Sequence, residues 1–497
     1  MNLKTMWLEN KTWVVLGVLL VLFFVLGLGG MGQENFVRTT LSGLTLGALF
    51  FMVASGLTLI FGLMDVLNFA HGTMFMIGAY MGWQFYVNPT FIFGLLPLIL
   101  ALLAGLMLAE PLRPWTMRLK VPESGQRSLR TGLYLGGALL LFIALSGVDF
   151  IGMAETAMVS TMVAANPLAE ATAQEPLISF WLRPVLLFLA GGLIALAITR
   201  PGDQTQVAQA GDSRRGWIMM GVLLLLTAVF TLARENLPIT VLQMDANPRF
   251  FLALLVGLAS GAGLGAVVEI TLIRPLYARP IFQVIVTLGM SYVFLELVQL
   301  LWSPLAYKMD RPPLFDAPGV APDIFAWFSG NNRLLDVFGV NFSTYRLFII
   351  FLGLMMFVAL MLIMKYTRLG IIIRAGVQDR QMVEALGINV RSVFTTVFLL
   401  GVSLAALGGI GAAPFIQIYP NMGNAFQLTA FITVVLGGMG SIPGAAIGAL
   451  LLGLARAFGD YLALSLDLSP AIAEASTVFI MAVVLLTSPS GLVGKKE

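Results

Sequence analysis

Long stretches with almost no charge are the feature of this 497-residue sequence that most restricts its fold. Residues 347–363, for example, are apolar throughout, so a helix built from them has no polar face to turn to water. Only 11% of all residues are charged and 59% are hydrophobic, whereas soluble domains carry about 25% charged residues. The polar surface is therefore too small for a soluble enzyme, and an integral membrane protein is predicted.

A bilayer core about 30 Å thick requires roughly 20 apolar residues in a helix. Segments of this kind are found near residues 13–30, 41–63, 72–87, 90–109, 131–148, 181–199, 217–233, 250–270, 283–303, 345–365, 393–418, 427–457 and 471–488. Main-chain N–H and C=O groups find no other partner in lipid, so the segments must be α-helices. A β-barrel would need alternating apolar and polar residues. The predicted fold class is thus an all-α, polytopic membrane helical bundle.

Lysine and arginine in the connecting loops predict the orientation. The basic loops 111–130 and 366–392 are expected on the cytoplasmic side, and 149–180, which has acidic but no basic residues, on the outside. Alternation of the spans then places 304–344 outside and the N-terminus inside.

Residues 427–457 are too long for one plain span and are interrupted by the glycine-rich run 437–444. A single crossing would leave Lys495 and Lys496 outside, whereas two half-crossings leave them inside, as the positive-inside rule prefers. We therefore expect a broken element, which is tolerated at membrane depth only beside protein or a water-filled path.

Small residues recur four apart in 257–265, 401–413 and 440–448, which places them on one helix face. Such ridges let helices approach closely. They predict a compact bundle with discontinuous helices, which suits a transporter better than a simple anchor.

The absences in the sequence are equally informative. With no cysteine and one histidine, disulfides, thiolate metal sites and histidine-built metal sites are not expected. A net charge of +3 does not suggest nucleic-acid binding, and no phosphate-binding loop is present. We expect no catalytic site, no metal and no cofactor, and any ATP would be bound by another subunit.

Few polar residues fall inside or between spans. Asp65, Asn68 and His71 either form a tight inner loop or shape a discontinuous helix beside a translocation path. Glu296 lies within a span, where a carboxylate is either functional or neutral and hydrogen-bonded between helices. Glu269, five residues before Arg274, either snorkels or pairs locally.

The loop 366–392 predicts a short helix over Gln378–Leu386, opened by Asp379 and Arg380 and ended by Gly387. Met382, Val383 and Leu386 give this helix an apolar face at helical spacing. Either it is a surface helix in a solvated connector, or the face binds a cytoplasmic partner.

Three blocks of sequence resemble the permease subunits of branched-chain amino acid ABC importers, a family that includes urea permeases. They comprise Gly43–Ala48, Gly56–Gly62, Asn68–Gly72 and Gly78–Tyr80; Glu269, Arg274–Leu276 and Thr287–Ser291; and Arg374–Arg380, Leu386–Ile388 and Leu436–Gly444, with Pro489–Gly494. The matching parts cover roughly residues 38–88 and 250–494.

The resemblance implies a bacterial plasma-membrane permease that acts with a second, related permease, two cytoplasmic ATP-binding subunits and an extracytoplasmic solute-binding protein. Loop 366–392 would dock on an ATPase, and the candidate coupling residues are Arg374, Gln378, Asp379, Arg380, Glu384 and Gly387. The candidates for the translocation path are Asn68, His71, Glu296, Gly437, Gly438, Ser441 and Pro443.

One large region departs from the family pattern. Residues 90–249 read as an inserted four-helix membrane unit between a first part of the permease core, 1–89, and a second part, 250–497. We expect the insertion to be peripheral, contacting lipid or the partner permease, with its basic loop attracting anionic lipid.

Other functions stay open at this point. Urea or a short-chain amide is the second choice of substrate. An ion-coupled secondary transporter, in which Glu296 would bind the ion, leaves loop 366–392 without a role. A membrane-embedded enzyme finds no convergent catalytic set.

Overall fold

The computed structural model describes residues 31–64, 68–116, 123–154, 178–199, 213–277, 279–469, 471–488 and 491–493. The predicted span 13–30 and the positions Asp65, Lys495 and Lys496 lie outside the described residues, as does the side chain of Arg380.

The described residues are mostly helical, and the all-α fold class is confirmed. The helices before residue 270 are α1 (Gln33–Met64), α2 (His71–Val87), α3 (Thr90–Leu106), α4 (Ala109–Thr116), α5 (Glu123–Leu145), α6 (Phe150–Ala154), α7 (Leu182–Ile198), α8 (Ser213–Ala233), α9 (Asn236–Gln243) and α10 (Ala246–Val268). The later helices are α11 (Pro280–Trp302), α12 (Ile324–Gly330), α13 (Thr344–Tyr366), α14 (Arg368–Gln378), α15 (Arg380–Ala385), α16 (Val390–Ala412), α17 (Met422–Gly437), α18 (Ile442–Ser465) and α19 (Ala471–Thr487).

Eight of the described helices are long and apolar enough to cross a membrane, and a ninth crossing arises if the bent pair α2 and α3 counts as one. The predicted spans that fall on described residues each coincide with one helix, except that 427–457 coincides with two. A multi-pass membrane protein is therefore confirmed.

Contacts divide the chain into two compact units, a first unit of residues 1–83 with 246–497 and a second unit of residues 84–245. The second unit covers most of the predicted insertion, 90–249. That this region was added to a smaller permease core stays a prediction.

Glycines lie where the helices of the first unit approach most closely. A Cβ on Gly56 would lie 2.0 Å from the carbonyl oxygen of Gly401, so α1 and α16 are in main-chain contact. In the same helix α16, a Cβ on Gly409 would lie 1.9 Å from the carbonyl oxygen of Phe75 in α2. The small-residue ridges therefore serve close helix packing, as predicted.

The break expected within 427–457 is present. Gly438 and Gly440 have φ values of 98° and 80°, which only glycine adopts without strain, and they turn the chain between α17 and α18. A Cβ on Gly448 would lie 2.9 Å from the carbonyl oxygen of Thr433, so the two helices fold back side by side. The two helices differ in length, since the 24 residues of α18 span about 36 Å and are long enough to cross a bilayer alone. That the element makes two half-crossings stays a prediction.

Contacts identify the end of the first unit to which this turn belongs. The Cα of Gly440 lies 2.8 Å from a Cβ placed on Gly62, near the end of α1. A Cβ on Gly376, in the predicted cytoplasmic loop, would lie 3.2 Å from Leu63. The main-chain N–H of Leu492 donates to the last turn of α17 at 2.9 Å. The end of α1, the turn, α14 and residues 491–493 thus share one end, named here the loop end.

The segment 303–343 contains secondary structure that the sequence did not predict. Its strands β1 (Ala317–Ala321), β2 (Asn332–Val337) and β3 (Val340–Ser343) form a sheet in the order β1-β2-β3. β1 and β2 pair in parallel across the intervening α12, and β2 and β3 form an antiparallel hairpin in which Val337 pairs with Val340.

The second unit has its own small core, formed by Leu98, Ala101, Ala144 and Leu187 from α3, α5 and α7. Arg183, which is buried, donates from one Nη atom to the carbonyl oxygens of Ala144 (3.0 Å) and Ser146 (3.1 Å). A guanidinium at this position satisfies the carbonyls that the end of α5 leaves unpaired.

Candidate functional site

α2 begins in the middle of the first unit rather than at its loop end. Nε2 of His71, the first residue of α2, lies 2.9 Å from the carbonyl oxygen of Val53 in α1. Val53 precedes the last residue of α1, Met64, by 11 residues, or about 16 Å along the helix. This is about half of a 30 Å bilayer core. α2 therefore starts well away from the loop end, and Asn68 and His71 lie at its start.

Gln427 of α17 satisfies the main chain at this start. Its Oε1 accepts a hydrogen bond from the N–H of Gly72, and its Nε2 donates to the carbonyl oxygen of Asn68 at 3.3 Å. The N–H of Gly72 would otherwise be unpaired, since the first N–H groups of a helix have no intrahelical acceptor. The carbonyl oxygen of Asn68 also accepts from the N–H of His71 at 3.3 Å. We name the arrangement of Gln427, Asn68 and Gly72 the Gln427 clasp.

Two main-chain N–H groups just before α2 are also paired with side chains. Oδ1 of Asn68 accepts from the N–H of Ala70 at 3.0 Å, and Oγ1 of Thr287 in α11 accepts from the N–H of Phe69 at 3.2 Å. Glycine at position 72 is required, because a Cβ there would lie 2.1 Å from the carbonyl oxygen of Gly423 in α17. Three helices therefore hold the start of α2 in place.

Several buried polar atoms around this start make no hydrogen bond. They are Nδ2 of Asn68, Nδ1 of His71 and both amide atoms of Gln283, whose side chains are at most 1% exposed. Gln283 lies one turn from Thr287 on the buried face of α11. Unpaired polar atoms are costly in an apolar interior, so they mark this place as a candidate site. A neutral imidazole that donates from Nε2 to this carbonyl oxygen keeps Nδ1 as an acceptor.

The other predicted path residues are not part of this cluster. Gly437, Gly438, Ser441 and Pro443 form the turn at the loop end, where Oγ of Ser441 caps α18 by accepting from the N–H of Gly444 at 3.1 Å. Glu296 lies on an exposed face of α11, about 14 Å along the helix from Thr287. Its carboxylate is thus not buried between helices of this chain.

A buried charge cluster lies near the loop end. The carboxylate of Glu269, fully buried in a π-helical turn, is paired with Nη2 of Arg274 at 3.3 Å and accepts a hydrogen bond from the hydroxyl of Tyr277. Nη2 of Arg274 also donates to Oγ1 of Thr395 in α16 at 2.6 Å. Glu269 therefore pairs locally, one of the two possibilities that its sequence position left open.

The predicted coupling loop folds into two helices instead of one. Oδ1 of Asp379 accepts from the N–H of Met382 at 2.9 Å and caps α15, and Gly387 ends it with φ 79°. The preceding helix, α14, was not predicted. Arg374 of α14 donates to the carbonyl oxygen of Met364 and so fastens α14 to the end of α13.

The predicted apolar face of α15 is divided between two environments. Val383 is 2% exposed and packs in a cluster that includes Phe394 of α16, whereas Met382 and Leu386 are 57% and 72% exposed. Gln378 and Glu384 are exposed as well. Apolar side chains thus remain on the surface of the loop end.

The sequence interpretation missed Gln427, Gln283 and Thr287. Each is an uncharged polar residue inside an apolar span. A polar side chain at membrane depth is itself the signal that would have found them.

The sequence model of the family described as branched-chain amino acid transport system permease component matches residues 39–124 and 213–488. Among individual proteins, the chain is similar to the high-affinity branched-chain amino acid transport system permease protein LivH of Escherichia coli K12. The two are 32% identical over 179 residues, which cover 35% of this chain and 56% of the relative.

The chain is also similar to the corresponding permease protein BraD of Pseudomonas aeruginosa, with 33% identity over 160 residues, 32% of this chain and 50% of the relative. It matches the ribose import permease protein RbsC of Escherichia coli K12 with 36% identity over 138 residues, 26% of this chain and 40% of that protein. The chain thus spans about half the length of the curated branched-chain relatives that it matches. No solved structure matches it.

Proposed function

Because the chain belongs to the family of branched-chain amino acid transport system permease components, we propose that it lines the path of an ATP-driven importer for branched-chain amino acids. A second, related permease completes this path, two cytoplasmic ATPases drive it, and an extracytoplasmic binding protein delivers the solute. The complex resides in a bacterial plasma membrane. The chain itself carries out transport and leaves ATP hydrolysis to the other subunits.

The start of α2 well away from the loop end is the observation that carries this proposal. A plain anchor helix satisfies its own main chain, whereas this start requires Gln427, Asn68 and Thr287 to supply hydrogen bonds. Irregular backbone at membrane depth occurs where it is buried in protein or lines a water-filled cavity, and substrate sites form at discontinuous helices. Asn68 and His71 thus shape the path, and the turn with Gly437, Gly438, Ser441 and Pro443 lies at its cytoplasmic end.

Docking of an ATPase on α14 and α15 is supported by the surface that these helices present. Leu386 is 72% exposed at an end where water rather than lipid is expected. An exposed apolar side chain beside Arg374, Gln378, Asp379, Arg380 and Glu384 suits a protein partner. Movement of α15 is transmitted through Val383 to the start of α16, against which it packs.

The absence of cysteine from the sequence allows a direct test of this docking. We expect a single cysteine introduced as Leu386→Cys to cross-link to a co-purifying ATPase in mild detergent. Leu464→Cys, at a position that is also exposed (87%) but lies at the far end of α18, should not cross-link. Equal cross-linking of both variants, or recovery of the chain without any ATPase, would contradict the proposal.

An ion-coupled mechanism through Glu296 is the alternative with a defined residue. The exposure of Glu296 on α11 supports a contact with lipid or a second permease instead of an enclosed ion site. Glu296→Gln should therefore leave uptake driven by ATP. Loss of all uptake together with its pH dependence in this variant would favour ion coupling.

The region 90–249 is proposed to be peripheral to the path. The separate core around Leu98 and Leu187 supports folding of the second unit by itself. A chain with 84–245 replaced by a short linker should still reach the membrane and be eluted as a single species. Aggregation of this deletion variant would show that the region is needed for the core to fold.

A further inference from the structure

The second unit contains an open cavity of about 390 Å³ at the end where α3 begins. Its lining includes Met153, Phe180, Arg234, Glu235, Ile239 and Leu242. α3 runs 17 residues, or about 25 Å, from this end to the basic segment 111–130. Since that segment is predicted to be cytoplasmic, the cavity is expected to face outside. Its volume falls within the range of about 300–1,000 Å³ that small-molecule sites occupy.

Two opposite charges stand side by side in this cavity. The guanidinium of Arg234 lies 3.9 Å from the centre of the Phe180 ring, and its Nη2 lies 2.9 Å from Oε1 of Glu235. Stacking uses the face of the guanidinium and leaves its edge to donate hydrogen bonds. Nε of Arg234 is buried and makes no hydrogen bond, whereas the Glu235 side chain is 77% exposed. A donor and an acceptor of opposite charge are thus both available to one ligand.

The lining also contains apolar side chains. They include Met153, Ile239 and Leu242, and Gly94 of α3 keeps room for Met153, since a Cβ there would lie 2.8 Å from the sulfur. A ligand that matches this cavity carries a positive and a negative group on neighbouring atoms and one small aliphatic group. Phospholipid headgroups can also be zwitterionic, but their long acyl chains exceed a wall of three side chains.

We propose that this cavity binds a free aliphatic α-amino acid. Arg234 binds the α-carboxylate, Glu235 binds the α-ammonium group, and the wall of Met153, Ile239 and Leu242 contacts the side chain. Each charged residue exchanges its partner in the empty cavity for a ligand group, so no charge is left unpaired in either state. The choice of an amino acid among zwitterions rests on the proposed function. The site itself is separate in sequence from the Gln427 clasp and lies in the second unit.

Binding of three probes to the purified full-length chain, without ATP or other subunits, tests this assignment. Leucine should bind saturably, and both 4-methylpentanoate, which lacks the ammonium group, and 3-methylbutylamine, which lacks the carboxylate, should bind at least tenfold more weakly. Arg234→Gln should weaken leucine at least tenfold without changing 3-methylbutylamine. Glu235→Gln should weaken leucine to the same degree without changing 4-methylpentanoate.

Arg127 is an exposed arginine of α5 at the basic end of the second unit. Arg127→Gln is therefore the matched control, and this variant should bind all three probes as the unaltered chain does. Elution volume and melting temperature establish that each variant is folded. If Arg234→Gln is not folded, the binding result of Glu235→Gln decides the test, because the Glu235 side chain is largely exposed and its replacement should not affect folding. Leucine affinity that is unchanged in the variants, or no saturable leucine binding, would overturn the proposal. The proposal would also be overturned if a phospholipid is bound in the unaltered chain, is lost in Arg234→Gln and is not displaced by leucine.

Uptake by the complete importer, measured separately, distinguishes this inference from the proposed function. ATP-driven amino acid uptake by a chain that shows no binding at Arg234 and Glu235 refutes the inference alone. Binding at these residues without ATP-driven uptake refutes the proposed function alone.

Discussion

Replacing Gln427 by leucine should release the start of α2. The amide of Gln427 pairs with the N–H of Gly72 and the carbonyl oxygen of Asn68, both buried. Leucine fills a similar volume but leaves the N–H of Gly72 unpaired, whereas the carbonyl oxygen of Asn68 keeps the N–H of His71 as a partner. An unpaired buried group costs about 1–3 kcal/mol, so Gln427→Leu should lower the free energy of unfolding by about 1–3 kcal/mol.

Two measurements on the protein in detergent check this expectation. Unfolding by titration with a denaturing detergent gives the difference in free energy, and hydrogen exchange reports whether peptides covering 68–75 lose protection. Thr429→Val, which removes a hydroxyl hydrogen bond within the same helix, is the control and should leave both readouts close to those of the unaltered chain. The reasoning is refuted if Gln427→Leu unfolds within about 0.5 kcal/mol of the unaltered chain and residues 68–75 stay protected.

Three further perturbations test other parts of the account. Gly56→Ala should prevent recovery of a folded chain on size-exclusion chromatography, because the new Cβ would lie 2.0 Å from the carbonyl oxygen of Gly401. Gly289→Ala is the control and should elute normally, because a Cβ there has no atom within 4 Å. Asp379→Ala removes the cap of α15 and should lower the amount of solute taken up per ATP hydrolysed by the reconstituted complex. Asp323→Ala removes an equivalent cap from α12 and should not change this ratio. Equal effects of the two variants would argue against docking. Glu269→Gln should cost about 2 kcal/mol of unfolding free energy by weakening charge-assisted hydrogen bonds, and an unchanged melting temperature would contradict this.

Periodicity and apolar length predicted the helices well, because lipid leaves the main chain few alternatives. The break in 427–457 was predictable for the same reason that it forms, since consecutive glycines and Pro443 favour a turn. The relative lengths of α17 and α18 were not predictable, because they depend on which residues pack against α1. The sheet in 303–343 was missed because its strands have only five, six and four residues and depend on pairing with one another.

At the candidate site the sequence identified Asn68 and His71 but not their partners. Gln427 lies 359 residues from Asn68, and nothing in one sequence reports that the two side chains meet. Charge proved a poor guide in the spans, since Glu296 is exposed whereas the uncharged Gln283 is buried without a hydrogen bond. Burial of polar groups follows from helix rotation, which is set by packing and is not visible in composition.

The central claim is that this permease moves its solute only when an ATP-hydrolysing partner drives it. Uptake of radiolabelled leucine into proteoliposomes tests it most directly, with either the chain alone under a proton or sodium gradient or the co-purified complex supplied with ATP and binding protein. We predict uptake by the complex that depends on ATP hydrolysis, and none by the chain alone. Uptake by the chain alone, driven by an ion gradient, would contradict the account.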